Sequence, residues 1–292
     1  MRSCAGVAIV GCGDVGRRLA RRWLERGAHV TGLVKSVASV EKLGRAGITA
    51  VQVDLDDSTW EPTLGSLVYY LAPPPPAGAL DGRMRRFLKP LADGVRLTRV
   101  VLISTSGVYG DCGGSWVDET APLRPDTDRS RRRVDAEQTL RQWGNRVGCS
   151  IVVLRVPGIY GPGRLPIERL RRGITLPEPE QSPYTNRIHV DDLVTACMAA
   201  AAVDATDAIF NVADNRPERM SDYFLKVARL AGVSPPMLVS LQEAKRAASP
   251  MLRGYLSASR RLNNTKMRTE LGVTLRYPNL DAGLPECLDG PD

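Results

Sequence analysis

Val7-Ala8-Ile9-Val10-Gly11-Cys12-Gly13-Asp14-Val15-Gly16 reads as a short apolar strand that runs into three glycines spaced G-x-G-x-x-G. A helical pattern over residues 16–26 follows. The spacing has a physical meaning. Gly11 permits a tight turn, Gly13 lets a pyrophosphate approach the backbone, and Gly16 lets the helix pack closely on the strand. The helix N-terminus presents free N–H groups and the positive end of its dipole to phosphates. At the first turn of a βαβ unit this pattern is a dinucleotide-binding fingerprint, and the plainer alternative is a turn of purely structural use. Cys12, Asp14 and Val15, within the loop, are candidate cofactor contacts along with the glycines.

Outward from that loop, apolar strands alternate with helical stretches. A strand is expected over 29–34, a helix over 36–46 with Ser36 as N-cap, and strands over 49–55 and 67–71. A helical stretch over 83–97 must be kinked or split by Pro90. A strand over 99–104, a helix near 130–146 and a strand over 150–156 complete this half. Strands apolar throughout and separated by helices predict a parallel sheet covered on both faces. The fold class is therefore α/β, a Rossmann-type doubly wound parallel sheet with a smaller C-terminal substrate-binding lobe. The expected division is an NAD(P)-binding Rossmann domain over 1–156, to which 184–213 returns, and a lobe made of 157–183 and 214–292. Within the second half, a helix is expected over 191–202, a strand over 208–212 and a helix over 220–231. In such folds the ligand sits at the carboxyl ends of the strands. The run Pro73-Pro74-Pro75-Pro76 is the one low-complexity patch and reads as a stiff, extended connector.

The chain has 292 residues, 43% hydrophobic and 25% charged, enough to bury a full core. No stretch approaches the run of about 20 apolar residues that a membrane span needs, so no membrane partner is expected. The apolar run 5–10 flows straight into the glycine loop with no small-residue cleavage site, and reads as a buried strand instead of a leader. Six cysteines without a Cys-x-x-Cys pair point to reduced thiols and a cytoplasmic location. The two histidines, His29 and His189, are far apart, and no metal site is expected. A formal net charge of +8 and a pI near 9.4 favour anionic partners. The arginines are nevertheless spread along helical segments without interleaved aromatics, so the basic surface reads as solvated and no nucleic-acid partner is expected. A phosphate-bearing small molecule fits the same charge.

An NAD-specific site usually ends its second strand with an acid that binds the ribose 2′-hydroxyl. Here the strand ends Gly32-Leu33-Val34-Lys35-Ser36. Lys35, followed by Ser36, offers a cation where the 2′-phosphate of NADP would lie, and Arg17 and Arg18 are near. NADP is expected ahead of NAD, the plainer reading of Lys35 being a solvated strand end. Asp54-Leu55 closes the third strand and is placed to flank the adenine, or simply opens a polar loop.

Several later segments resemble the extended short-chain dehydrogenase/reductase superfamily, the NAD-dependent epimerase/dehydratase type. Ser104-Thr105-Ser106-Gly107-Val108-Tyr109-Gly110 is similar to that family's Ser-Ser-x-x-Val-Tyr-Gly strand end. Leu154-Arg155-Val156-Pro157-Gly158-Ile159-Tyr160-Gly161-Pro162-Gly163 resembles its Arg-Pro-x-x-x-Tyr-Gly-Pro segment, and Arg187-Ile188-His189-Val190-Asp191-Asp192-Leu193 its Ile-His-Val-x-Asp motif. Phe210-Asn211-Val212-Ala213 and the late Leu262-Asn263-Asn264 and Glu270-Leu271-Gly272 also fit. The motifs come in order over nearly the whole chain. The G-x-G-x-x-G form and Tyr70-Leu71-Ala72-Pro73-Pro74 look like an atypical branch, the nucleoside-diphosphate-sugar epimerase type. The resemblance implies that Leu71, Ala72, Pro73, Ser104, Pro157, Gly158 and Ile159 also contact the cofactor. It implies a small-molecule substrate, which includes nucleotide-linked sugars, met by Tyr109, Tyr160, Tyr184 and Arg187.

One departure bears on catalysis. Aligned on the helical Glu137, the family's catalytic Tyr-x-x-x-Lys falls on Arg129 and Arg133. Tyrosine is the family's general acid–base and lysine lowers its pKa, whereas arginine stays protonated near neutral pH and exchanges no proton usefully. Arg133 is still able to bind a ribose or phosphate, and the stretch 129–133 also reads as a solvated helix start. Thr105 keeps the hydroxyl that polarises a substrate carbonyl in the family, its plainer role being a loop cap. His189 reads as a support of the second lobe before an acid–base group. Two functions follow: an NAD(P)-dependent oxidoreductase or epimerase/dehydratase-like enzyme, or a non-catalytic NAD(P)-binding sensor or regulator. The resemblance also implies a homodimer through the stretches 83–97 and 130–146. Met84, Phe87, Leu88 and Leu91 form an apolar stripe there, although packing on the sheet needs the same stripe.

Overall fold

The computed structural model describes residues 6–57, 60, 64–91 and 97–288. Five strands open the chain: β1 (Val7–Val10), β2 (Val30–Val34), β3 (Thr49–Gln52), β4 (Leu67–Tyr70) and β5 (Arg99–Thr105). Four helices accompany them: α1 (Asp14–Leu24), α2 (Val37–Arg45), α3 (Gly82–Leu88) and α4 (Asp128–Val147). With the strands Ser150–Val156 and Asp207–Asn211 they build a seven-stranded sheet. Its order, starting from Asp207–Asn211, is Ser150–Val156, β5, β4, β1, β2 and β3. β1 pairs in parallel with both β2 and β4, with Val10 opposite Leu33 and Tyr70. The β2–β3 and β4–β5 pairs are parallel too. This is the doubly wound α/β architecture that the alternation predicts, and every residue of β1 and β4 is buried, as strands covered on both faces require.

Local chemistry sets the helix ends. Ser36 caps α2, its Oγ accepting the Ser39 N–H. Asp81 caps α3, its Oδ1 accepting the Met84 N–H at 3.0 Å. α3 stops at Leu88 and a single 3-10 turn, Lys89–Leu91, follows. Pro90 sits in that turn, where the sequence places a kink or a split; residues 92–96 of the expected 83–97 helix lie outside the described residues. On α4 the buried positions Arg133, Ala136, Glu137, Leu140, Trp143 and Gly144 recur three and four apart, one face of a helix. Met84, Phe87, Leu88 and Leu91 are all buried and pack with Tyr70, Leu102 and Leu140 in one core. The stripe proposed for a homodimer is thus spent inside the protein and lends an interface no support.

The chain divides into two compact units. The first comprises Met1–Val108, Asp128–Arg155 and Val194–Phe210; the second Tyr109–Thr127, Val156–Leu193 and Asn211–Asp292. Residues 109–127, read from the sequence as part of the first domain, cluster with the second unit. Of the stretch 184–213, only Val194–Phe210 joins the first. The second unit carries four two-stranded ladders, among them Gly158–Tyr160 with Arg187–His189 in parallel and Tyr184–Thr185 with Glu218–Arg219 antiparallel. Its core gathers Tyr160, Leu176, Phe224, Val227, Ala244 and Leu280.

Candidate functional site

Close packing shapes the glycine loop. Gly11 sits at φ +80°, and a Cβ there would lie 2.6 Å from the Ala72 nitrogen. The loop therefore leans on the chain leaving β4 so closely that only glycine fits. Gly13 precedes α1 and offers no side-chain cap at its N-terminus. A Cβ on Gly16 would come within 3.2 Å of both Cys12 Sγ and Ile9 Cγ2, which is the tight helix–strand contact expected of the third glycine. Cys12 is buried under the loop, and burial pushes its thiol up to about 11. It is a packed thiol, not a thiolate. Asp14, at the start of α1, pairs with Arg18 at 3.4 Å and Arg17 at 3.8 Å.

Beside the loop opens a cleft of about 130 Å³. Among its lining residues are Gly11, Lys35, Asp54, Leu55, Pro73 and Arg83. The sequence-predicted Gly11, Lys35, Asp54, Leu55, Ala72 and Pro73 are thus brought together in one unit. Ser36 stands at the same strand end as the α2 cap. Lys35 is not the lone cation that the NADP expectation rested on: its Nζ lies 3.1 Å from both Asp54 and Asp56. Asp56 is gripped in turn by the fork of Arg83, through Nε at 2.8 Å and Nη2 at 2.6 Å. The Arg83 and Lys35 bonds hold the Asp56 carboxyl well below the usual range, against a smaller opposing effect of partial burial. Sequence reasoning missed Asp56 and Arg83. The available signal was the acid–apolar–acid step Asp54-Leu55-Asp56 at a strand end.

The chain leaving β4 is a proline-rich strap, and three arginines bind its carbonyls. Arg133 Nη2 donates to Ala72 O at 3.1 Å, Arg83 Nη1 donates to Pro73 O and Pro74 O, and Arg132 Nη1 donates to Gly78 O. Arg133, at the family's lysine position, is buried, and that burial pulls its pKa down while the neighbouring Asp81 carboxylate opposes the fall. Arg129, at the tyrosine position, is exposed. At the end of β5 the Thr105 Oγ1 accepts the Gly107 N–H at 3.1 Å, a cap that leaves its own O–H to donate elsewhere. Ser104 donates to Glu137, and Glu137 forms a buried pair with Arg155, Nη2 to Oε2 at 2.9 Å.

In the second unit the candidate tyrosines differ. Tyr109 is fully buried and donates to Asn211 Oδ1 at 2.7 Å; Tyr160 is fully buried and donates to Asn279 O at 3.3 Å. Both hydroxyls are engaged in support. Tyr184 is half-buried, with Arg219 stacked 3.9 Å and Arg261 4.8 Å from its ring centre. Arg187 stacks on Tyr223 at 4.3 Å, and a Cβ on Gly158 would strike its guanidinium at 2.7 Å. Pro157 precedes and Ile159 lies within the short strand that pairs with Arg187–His189. His189 is buried, its Nδ1 accepts the Asp191 N–H, and its ring packs against Tyr160 and Tyr277.

Asp214, in this unit, is a carboxyl driven up into the neutral range. Its side chain is buried, Oδ1 accepts the Arg216 N–H, and burial raises it to about 8, with Glu218 and Asp192 adding to the rise and Arg187 opposing it. The folded chain holds a proton that the unfolded chain, with an ordinary value near 3.8, has released. That stability is fully present below pH about 4 and is lost as pH rises through about 8. Thermal melting should therefore fall between those limits, and Asp214→Asn should flatten the fall. An unaltered slope in Asp214→Asn would refute this origin.

With that geometry in place, the comparisons with known proteins are consistent. The NAD dependent epimerase/dehydratase family matches residues 85–213, and the TrkA-N domain matches residues 7–60. Protein YeeZ of Escherichia coli (strain K12) is 29% identical over 285 residues, 94% of this chain and 96% of its own. A Streptomyces sp protein named 3-diazoavenalumate denitrifying reductase is 28% identical over 224 residues, 72% of this chain and 73% of its own. The solved structure of a functionally unknown conserved protein from Silicibacter pomeroyi DSS matches with a TM-score of 0.84 at 31% identity, covering 96% of this chain and 97% of that one. Residues 85–213 are thus similar to the NAD-dependent epimerase/dehydratase family, in line with the motifs read from the sequence. Among the described residues no helix is long and apolar enough to cross a membrane, and no group of three or more metal-ligating side chains gathers.

Proposed function

We propose that the chain is an NAD(P)-dependent oxidoreductase or epimerase/dehydratase-like enzyme for a small molecule, the class of substrates that includes nucleotide-linked sugars and other phosphate-bearing compounds. The observation that carries this reading is the single cleft shared by the glycine loop, Lys35, Asp54 and the strap. The residues fit the cofactor: Gly11, Gly13 and the α1 N-terminus for the pyrophosphate, Lys35 and Ser36 at the adenosine ribose, Asp54 and Leu55 beside the adenine, Leu71, Ala72 and Pro73 along the strap. A bound nicotinamide supplies hydride chemistry, and the protein binds, orients and polarises. Ser104, Pro157, Gly158 and Ile159 remain proposed cofactor contacts, and Tyr184 and Arg187 proposed substrate contacts. Tyr109 and Tyr160 stand in that set through the resemblance, but with hydroxyls already bonded. A cytoplasmic location fits the cysteines, which are unpaired among the described residues. The resemblance alone supports a homodimer.

Proton transfer departs from the family pattern. Arg129 is exposed, and its guanidinium serves to anchor an anionic group. Arg133 is committed to the strap. Thr105 polarises the substrate carbonyl through its remaining O–H. These placements also support the second reading, a dinucleotide-binding sensor without turnover. Titration calorimetry with NAD and NADP tests the shared part, and hydride transfer to carbonyl substrates separates the two readings. If turnover is found, Arg129→Ala should raise KM for an anionic substrate about tenfold and keep the pH–rate profile. A basic-range pKa that disappears in Arg129→Ala would overturn the anchoring role.

A further inference from the structure

In this family's fold, the end of the second strand faces the adenosine ribose, and a cation there receives the 2′-phosphate that distinguishes NADP from NAD. Lys35 stands at that end and lines the cleft together with Arg83. A guanidinium fork and an ammonium converging on one point are the donors that recognise a phosphate. Here they converge on Asp56: Arg83 binds it through two nitrogens at 2.8 and 2.6 Å and Lys35 at 3.1 Å. Asp54 fixes the arrangement, its Oδ1 accepting the Asp56 N–H at 2.9 Å and its Oδ2 meeting Lys35 at 3.1 Å. Arg83 is also tied to the strap at Pro73 O and Pro74 O, so its fork is held in place from the other side.

We propose that Asp56 is a built-in anion filling the place of a ribose 2′-phosphate, which makes it the residue that selects NAD against NADP. The proposal rests on the dinucleotide reading above. Two cations and two carboxylates form a neutral cluster, which has no surplus charge for a dianionic phosphate. An incoming 2′-phosphate has to displace Asp56 from both cations and leave its carboxylate beside a like charge. NAD, without the 2′-phosphate, meets no such obstacle. Removing the Asp56 carboxylate leaves one net positive charge and an open fork.

The test compares NAD and NADP dissociation constants by titration calorimetry in the wild-type chain, in Asp56→Ala and Asp56→Asn, and in Asp56→Ala combined with Lys35→Ala. The wild type should bind NAD about tenfold or more tightly than NADP. Asp56→Ala should shift the ratio at least about tenfold toward NADP, and Asp56→Asn should shift it in the same direction. Adding Lys35→Ala should erase the shift. The expected result is a gain of NADP affinity, which loss of folding cannot imitate. NADP binding as tight as NAD in the wild type, or an unchanged ratio in both Asp56 variants while NAD still binds, overturns the inference alone. A wild type that binds neither dinucleotide overturns the dinucleotide reading and this inference with it.

Discussion

Gly13→Val should yield a folded protein that no longer binds a dinucleotide. A Cβ at Gly13 would find its nearest neighbour, Gly11 O, at 3.9 Å, ordinary contact distance, so there is room for a side chain beside the loop. The valine methyls then stand where the pyrophosphate must approach the backbone, and affinity should fall by a factor of about 100 or more. Gly11→Ala should behave differently. Its φ of +80° and a Cβ 2.6 Å from backbone force the strap away, at a cost of about 3 kcal/mol in stability. Calorimetric titration beside thermal melting separates the two glycines. Unchanged affinity in folded Gly13→Val would remove the loop from the site.

The second large effect concerns the interior. Glu137 and Arg155 have side chains only 2% and 3% exposed and bond at 2.9 Å. Arg155→Met should strand the Glu137 carboxylate in the core beside Ser104, costing about 3–5 kcal/mol and lowering Tm by roughly 10 °C. Replacing both partners, as in Glu137→Leu with Arg155→Met, should recover most of that loss, because two apolar groups need no partner. Melting curves of the single and double variants decide it; equal losses in both would contradict the pairing account.

Local signals carried most of the architecture. The strand 150–156 and the helix 220–231 stand where hydrophobic patterning puts them, residue for residue. Ser36 caps α2 as a serine before a periodic run should. β3 ends three residues short of the expected Leu55 because Asp54 turns its carboxylate onto the Asp56 N–H and terminates the ladder. The candidate site was legible only as far as its local part. Arg133 reaches a carbonyl 61 residues away, and Lys35 meets an acid 21 residues on. Pairing at such separations is a property of the folded sheet order and leaves no periodic trace. The apolar stripe of α3 misleads for the same reason, since a core face and an interface face share one pattern.

The arginine-bound strap has a kinetic and entropic consequence. A chain segment that must settle over a ligand surrenders backbone freedom at the moment of association, roughly 1–2 kcal/mol for each residue fixed. Prolines 73–76 have little such freedom to lose, and the carbonyls of Ala72, Pro73, Pro74 and Gly78 are tethered to α3 and α4 by the protein's own arginines. The ordering cost therefore belongs to folding and not to association. Cofactor capture at this wall should run at the rate of encounter, with no slow isomerising phase behind it.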